Sequence, residues 1–331
     1  AAGAAAYVKE AFGSDRLSQA VGLAVAAVVV LSTASIARGA VGYVTPFVVL
    51  PDELVSGGLV VLFTAVACLG VRESVGLAAA MTVLEIGGLL FVIAVGLPAL
   101  ETLPERAAEL VPFADGDALA GIALGAFLAF FAFIGFENLA NMAEEAADPE
   151  RSLPRAILWS LAISTALYMA VALITVLALP LADIVAAPAP LLLVAARLQW
   201  FSMDLFAAVA LVAVVNGVLI ELVMLARLLY GMARRGWLPR GLARVSARVH
   251  TPVPATLAGG AIVLVFTVAL PFVSLVSITS MVTLVIFAAV NLALWRLQGR
   301  APRTAGFRAP RVVPPLAAAG SLALAVMQVA G

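Results

Sequence analysis

The sequence predicts an all-α polytopic membrane protein, a single bundle over residues 1–331 with about nine transmembrane helices, and three observations carry that prediction. First, 64% of the residues are hydrophobic and 11% are charged, more apolar surface than a water-soluble domain of this length can bury. Second, nine apolar segments are long enough to span a membrane or nearly so, at 17–37, 54–71, 74–97, 118–137, 156–179, 203–226, 255–270, 273–295 and 312–330. Third, basic residues fall on alternate connections. The runs do not alternate apolar with polar residues, which excludes a β-barrel.

The topology follows from the loops, taken in order. If the segment holding Lys9 and Arg16 is cytoplasmic, the cytoplasmic connections also hold Arg72, Arg151, Arg155, Arg227, Arg234, Arg235, Arg240, Arg244, Arg248, Arg296, Arg300, Arg303, Arg308 and Arg311. The opposite side holds only Arg106 and Arg197. Sixteen against two is a strong positive-inside bias. It would scramble if a segment had been miscounted, and the close pair parted by Pro271 is where a miscount would fall. The outer connections are short, proline-rich and acidic, so no separate extracellular domain is expected. The basic inner loop Met232 to Pro254 is explained by topology and attraction to anionic lipid, without nucleic acid.

Cys68 is the one cysteine and His250 the one histidine, which removes internal disulfides and clustered cysteine or histidine metal sites. No cofactor is expected. The single lysine against eighteen arginines, with abundant alanine, reads as a GC-rich bacterial source. Ala1 without a methionine or signal pattern, and Gly331 inside an apolar run, make both ends read as cut.

The stretch from Ala129 to Ile157, AFFAFIGFENLANMAEEAADPERSLPRAI, organises the rest. Asp148-Pro149 stops one helical pattern, because the residue before proline is pushed out of helical geometry, and Arg151, Pro154 and Arg155 open the next. The pattern from Asp117 to Asp148 would run roughly 48 Å as one helix, longer than a hydrocarbon core of about 30 Å. Either the spanning helix carries a water-exposed extension, or it breaks near Gly135. Glycine is common in intact membrane helices, and that alone favours the extension.

Four ionisable side chains sit inside apolar segments: Arg38, Glu85, Glu137 and Glu221. Each is costly against lipid and should face the bundle interior or a water-filled cavity. Arg38 could neutralise one glutamate, but not all three. A carboxylate left unpaired there can exchange protons near neutral pH, so proton-coupled movement is a reasonable function on the residues alone. Gly121 and Gly125 form a GxxxG, and Gly87-Gly88 follow Glu85; both read as helix contacts. The phenylalanines from Phe127 to Phe136 read as packing, with Phe131 singled out one turn before the suspected break. The motifs GxSxG, HExxH, the Walker sequence and DDxxD are all missing, so no enzyme reading has a nucleophile or metal set to stand on.

Three stretches then resemble one family, the amino acid–polyamine–organocation permeases. FIGFE, with Glu144-Glu145, DPER and LPRAI after it, is similar to that family's sixth helix and the segment beyond. NGVLIELVMLARLLYGMARRGWLP, running to HTPVPA, is similar to its eighth helix and next loop. GAAAYVKEAFG is weakly similar to the stretch before its third helix. The order and spacing cover nearly the whole chain. The resemblance implies a LeuT-type fold of two inverted five-helix repeats, with broken first and sixth helices beside the substrate. The nine spans would be helices three to eleven, with the first two and the twelfth absent. It also reverses the odds at Gly135 in favour of a break.

By this resemblance the substrate site would include Phe131, Phe133, Ile134, Gly135 and Phe136. The carbonyls of Phe133 and Ile134 would face a substrate amine at the negative end of a half-helix. Glu137, Glu85, Glu221, Arg38 and Asn216 are the candidates for proton coupling or gating. Proton-coupled relatives often carry a lysine in a TxxK setting, where this chain has Thr82 and Glu85. Glu221 stands where glutamine is frequent. The expected function is secondary transport of an amino acid or related amine across the cytoplasmic membrane, by proton symport or exchange, with the proton gradient or a counter-substrate as its driver. The alternative is a transport-inactive scaffold or sensor on the same fold. Partners are the small-molecule substrate and membrane lipid.

Overall fold

The computed structural model describes residues 3–70, 75–110, 116–136, 148–197, 203–299 and 309–330, and every regular element among them is helical. In order these are α1 (Gly3–Phe12), α2 (Asp15–Gly39), α3 (Val41–Val44), α4 (Asp52–Cys68), α5 (Val75–Gly96), α6 (Leu103–Leu110) and α7 (Gly116–Phe130). Then come α8 (Pro149–Ala178), α9 (Leu181–Ala186), α10 (Pro190–Ala195), α11 (Met203–Arg234), α12 (Val253–Ala269), α13 (Phe272–Gln298) and α14 (Val313–Ala330). Short 3₁₀ stretches occupy Leu97–Thr102, Phe131–Phe133 and Arg240–Ala243.

Each predicted segment falls on a helix: α2, α4, α5, α7, α8, α11, α12, α13 and α14. Among the described residues, Asp15–Val44, Ala80–Ala107, Arg151–Ala178, Met203–Arg234 and Phe272–Gln298 are long and apolar enough to cross a membrane by length and composition, and Leu119–Phe133, Val253–Ala269 and Val313–Gln328 are shorter apolar helices. The close pair at Pro271 is two helices. Leu270 leaves helical geometry with φ −120° and ψ 141°, and the residue preceding a proline is held extended.

The chain forms two compact units, Ala1–Val28 with Ala114–Ser164 and Val276–Gly331, and Val29–Phe113 with Thr165–Leu275. In the second, α4 and α12 touch along a glycine seam. A Cβ on Gly260 would run into the Thr64 side chain, and one on Gly57 would come within 3.3 Å of Leu264. Val60, Phe63, Val218, Leu222, Leu225 and Val263 fill the adjoining core with Val29 to Leu31 of α2. Buried hydroxyls turn onto their own helices, as in Thr64 Oγ1 to Val60 O at 2.7 Å and Thr267 Oγ1 to Val263 O at 2.8 Å, which spares them an unpaired polar group in an apolar setting.

A second core in that unit joins α5, α8 and α10 through Val92, Ile174, Leu177 and Val194. Arg106 of α6 closes the C-terminal end of α8: its Nη1 donates to Val176 O at 2.6 Å, Leu177 O at 3.2 Å and Leu179 O at 3.3 Å. A helix end presents carbonyls without intrahelical partners and a partial negative charge. That is a structural use for an arginine on the arginine-poor face.

In the first unit, α1 packs Val8 and Ala11 against Val21 of α2 and Ile286 and Ala293 of α13. The Arg296 guanidinium lies over the Phe12 ring at 5.2 Å. The GxxxG of α7 departs from its reading as a close helix contact. Among the described residues, nothing lies within 4 Å of where a Cβ on Gly121 or Gly125 would stand. Small residues permit close approach without compelling it.

Candidate functional site

The helix α7 stops inside the organising stretch. It ends at Phe130, tightens into the 3₁₀ turn Phe131–Phe133, and gives way at Ile134, which is extended at φ −65° and ψ 133°. Gly135 follows with φ +122°, a region that side chains on Cβ disfavour and glycine enters freely. Of the two readings left open by length, the break is the one observed. Ile134 N–H donates to Phe131 O at 3.1 Å, a tight terminal turn that shortens the helix end. Glu137 lies outside the described residues, as do Asn138, Glu144 and Glu145.

Both sides of the break are held by one side chain of α13. The Phe287 ring meets Phe130 at 5.9 Å with an interplanar angle of 84°, and Phe136 at 5.7 Å with an angle of 66°. Edge-to-face pairs of this kind add about 0.5–1.5 kcal/mol each beyond area burial. Ile134 packs into the α1–α2–α13 core beside Ile286. Phe131, Phe133, Ile134, Gly135 and Phe136 are all partly buried.

Three of the membrane-segment charges are described, all in the second unit. Glu85 of α5 accepts a hydrogen bond from Asn216 Nδ2 of α11 at 3.2 Å. Its carboxylate also lies within electrostatic reach of the Tyr168 hydroxyl on α8. Glu221, also on α11, meets Ser32 Oγ of α2 through Oε2 at 3.1 Å. Among the described residues, Arg38 pairs with neither Glu85 nor Glu221. It reaches Glu53 at the first turn of α4, Nη2 to Oε1 at 3.3 Å, and its Nε donates to Leu270 O at 3.4 Å. The short turn through α3 brings the end of α2 back to the start of α4, which puts Glu53 in reach. Outside the spans, a hydrogen bond from its own backbone N–H, and then the Arg38 guanidinium, hold the Glu53 carboxyl below its usual range.

Beside Glu85, α5 and α11 frame an open apolar cleft of about 350 Å³ lined by Ala80, Leu84, Gly87, Gly88, Phe91 and Phe206, among others. Phe91 and Phe206 meet at 5.7 Å between ring centroids. Apolar walls alone cannot fix the charged head of an amino acid, and Glu85, Asn216 and Tyr168 are not among the residues that line the cleft. Among the described residues no group of three or more His, Cys, Asp or Glu could hold a metal ion.

The whole chain, residues 1–331, matches the family model described as amino acid permease. The chain belongs to the amino acid permease family. It is a member of the amino acid–polyamine–organocation superfamily, with the all-helical fold of those membrane transporters. It is similar to the methylthioribose transporter of Bacillus subtilis, 29% identical over 271 residues that cover 79% of this chain and 56% of that one. It is similar to the branched-chain amino acid permease BcaP of the same species, 29% identical over 249 residues, 74% of this chain and 51% of that one. Human cationic amino acid transporter 4 is 29% identical over 275 residues, 76% of this chain and 40% of that one. The chain therefore spans about half the length of these relatives.

Three residues of the candidate site carry no signal in the sequence. Phe287 is one aromatic among many in an apolar helix. Tyr168 lies mid-span with no motif around it. Ser32 is one of several small hydroxyls in α2. Only the contacts of α13, α8 and α2 single them out.

Proposed function

We propose that the protein carries an amino acid or related amine across the cytoplasmic membrane by alternating access, through proton symport or through exchange against a counter-substrate. The break at Ile134–Gly135 is the observation that carries this reading. A helix interrupted within an apolar segment presents backbone polar groups where lipid-facing helices hide them, and such backbone is tolerated where it lines a cavity. The dipole at the end of α7 favours a cationic group, as an α-amine would supply. Phe131 and Phe136 would cover the substrate, and Phe287 would set the angle between the two sides of the break. Glu85 is the proton-responsive carboxylate in this reading, with Asn216 as its neutral donor in both protonation states. No cofactor takes part; the driver is the proton gradient or the counter-substrate. The side holding residue 1 is cytoplasmic.

The test uses the full-length protein in proteoliposomes. Radiolabelled branched-chain and cationic amino acids, polyamines and methylthioribose are offered with and without an inward proton gradient, alongside Glu85→Gln and Glu137→Gln. Uptake stimulated by the gradient and lost in Glu85→Gln supports symport through that residue. Uptake that needs internal substrate and ignores the gradient makes the protein an exchanger. No uptake of any of these by folded protein overturns the transport reading and favours a scaffold or sensor.

A further inference from the structure

Glu221 is half-buried at the edge of an apolar core of the second unit, and the proposed transport function makes no use of it. Its neighbours on α11, Val218, Leu222 and Leu225, are 1%, 1% and 0% exposed. Across from it, α2 contributes Val29, Val30 and Leu31, also buried, and Ser32, which is 5% exposed. A carboxylate is costly to hold in such surroundings unless it is hydrogen-bonded or takes up a proton.

The hydrogen-bond arithmetic around Ser32 suits a proton that comes and goes. Ser32 Oγ stands 3.1 Å from Glu221 Oε2 and 3.1 Å from Val29 O. A serine hydroxyl has one proton and two acceptor lone pairs. When Glu221 is ionised, Ser32 donates to the carboxylate. Val29 O keeps a side-chain donor meanwhile, because Thr33 Oγ1 reaches it at 2.6 Å. When Glu221 is protonated, its O–H donates to Ser32 Oγ, and the serine proton turns to Val29 O. The Ser32–Glu221 contact is therefore kept in both charge states without moving a helix.

Among the described residues, the charged and titratable groups on the surrounding elements make contacts of their own or sit at helix ends. On α5, Glu85 binds Asn216. That contact is five residues from Glu221, about 7.5 Å along α11 and roughly 140° around it. On α2, Arg38 is committed to Glu53 and Leu270 O, and Glu53 with Asp52 opens α4. Tyr43 belongs to α3, while α10 and α12 contain no charged residue. On α11 itself, Asp204 lies in the first turn and Arg234 in the last; Arg227 and Tyr230 lie toward that same end, and Arg240 opens the following 3₁₀ turn.

We propose that Glu221 and Ser32 form a proton-binding site additional to Glu85 and Asn216, in which Glu221 takes one proton from water and returns it while the Ser32 hydroxyl turns between the carboxyl group and Val29 O. The assignment goes beyond the transport reading and does not need it.

Infrared difference spectra of the full-length protein in liposomes, recorded between mildly acid and mildly alkaline pH, test it directly. The expected result is a protonated-carboxyl C=O band that rises on acidification, is lost in Glu221→Gln, and moves to higher frequency in Ser32→Ala, where its hydrogen-bond acceptor is gone. Ser32→Ala keeps the carboxyl group, so the band remains readable if the Gln variant folds poorly. Identical difference spectra for the native protein and Glu221→Gln would overturn the site. So would a band unmoved by Ser32→Ala, or a carboxylate response that tracks sodium and ignores pH. None of these readouts requires transport, so failure here and failure of the transport reading are separate results.

Discussion

Phe136 and Phe287 meet edge to face at 5.7 Å immediately beyond the point where α7 gives way. The same Phe287 ring takes Phe130 on the near side at 5.9 Å. A helix break with loose ends would sample many geometries. This one is clamped by a single ring on a neighbouring helix, with Ile134 partly buried in the same core, so Phe130 and Phe136 are held on either side of Gly135.

Gly135 is the residue that permits the clamp. At φ +122° a side chain is strained, although no neighbour would meet its Cβ. Gly135→Ala is expected to cost about 1–3 kcal/mol of local strain, or to be relieved by a straighter helix. Either outcome lowers the thermal midpoint of the purified protein or abolishes substrate uptake while membrane insertion stays normal. A variant with native uptake and native midpoint would remove the break from the mechanism.

Phe287→Ala removes both edge-to-face pairs, a loss of about 1–3 kcal/mol from the aromatic contacts. Its effect should exceed that of Phe287→Tyr, which retains the ring. The comparison is made by thermal unfolding in detergent and by the KM for uptake. A ring that only fills space would let Phe287→Leu restore both; a ring that positions the break would let it restore stability alone.

The sequence was informative about length and hydropathy, and poor about partners. Among the described residues, the five long apolar helices and the shorter ones are legible because an apolar segment about 20 residues long is a strong signal, and Pro271 could be read as a boundary because proline restricts its predecessor. The break at Gly135 was not decidable from the residues, since glycine occurs in intact membrane helices; the family resemblance tipped it. Arg38 looked like a counter-ion for a membrane glutamate, yet its partner is Glu53, because chain reversal at α3 is a tertiary fact that hydropathy does not contain. Glu85 and Asn216 were both named from the sequence, but their contact across α5 and α11 depends on helix rotation. The same holds for Gly121 and Gly125, whose spacing suggested a contact that the described residues do not make.

Glu85→Gln keeps the size of the side chain and a carbonyl for Asn216 Nδ2, but fixes the group as neutral. Gradient-stimulated uptake is expected to fall by at least about tenfold, a barrier change of about 1.4 kcal/mol. Exchange between identical internal and external substrate is expected to survive. Asn216→Leu should instead impair both, because it leaves the carboxylate without its amide donor. Parallel counterflow and gradient-driven assays distinguish the two patterns. Equal loss in both assays for Glu85→Gln would assign it a structural role.

Arg106→Ala leaves the last carbonyls of α8 without their cationic donor. Hydrogen bonds to a charged group contribute about 1.5–3 kcal/mol, and a cation at a helix C-terminus up to about 2 kcal/mol in favourable geometry. These describe overlapping effects, so a total of about 2 kcal/mol is expected. Arg106→Lys should recover only part of it, since a single ammonium cannot match a guanidinium that reaches carbonyls at 176, 177 and 179. Unfolding midpoints of the three proteins in one detergent measure the effect, and equal midpoints would show that water replaces the arginine.

The Arg38–Glu53 pair gives a pH dependence with a definite sign. The Glu53 carboxyl is held below its usual range by its own backbone N–H and then by Arg38, so the folded protein binds that proton more weakly than the unfolded chain does. Its contribution is therefore present above the ordinary carboxylate pKa and is lost as the pH falls through the lowered folded value. Glu53 is exposed while Arg38 is largely buried, at 52% and 13% for the two side chains, so solvent and salt weaken the pair. The native protein and Glu53→Gln should differ in thermal midpoint at neutral pH, and their curves should converge below the carboxylate range. Added salt should narrow the gap at neutral pH. A difference that stays constant into acid would mean that Glu53 acts through packing and not through its charge.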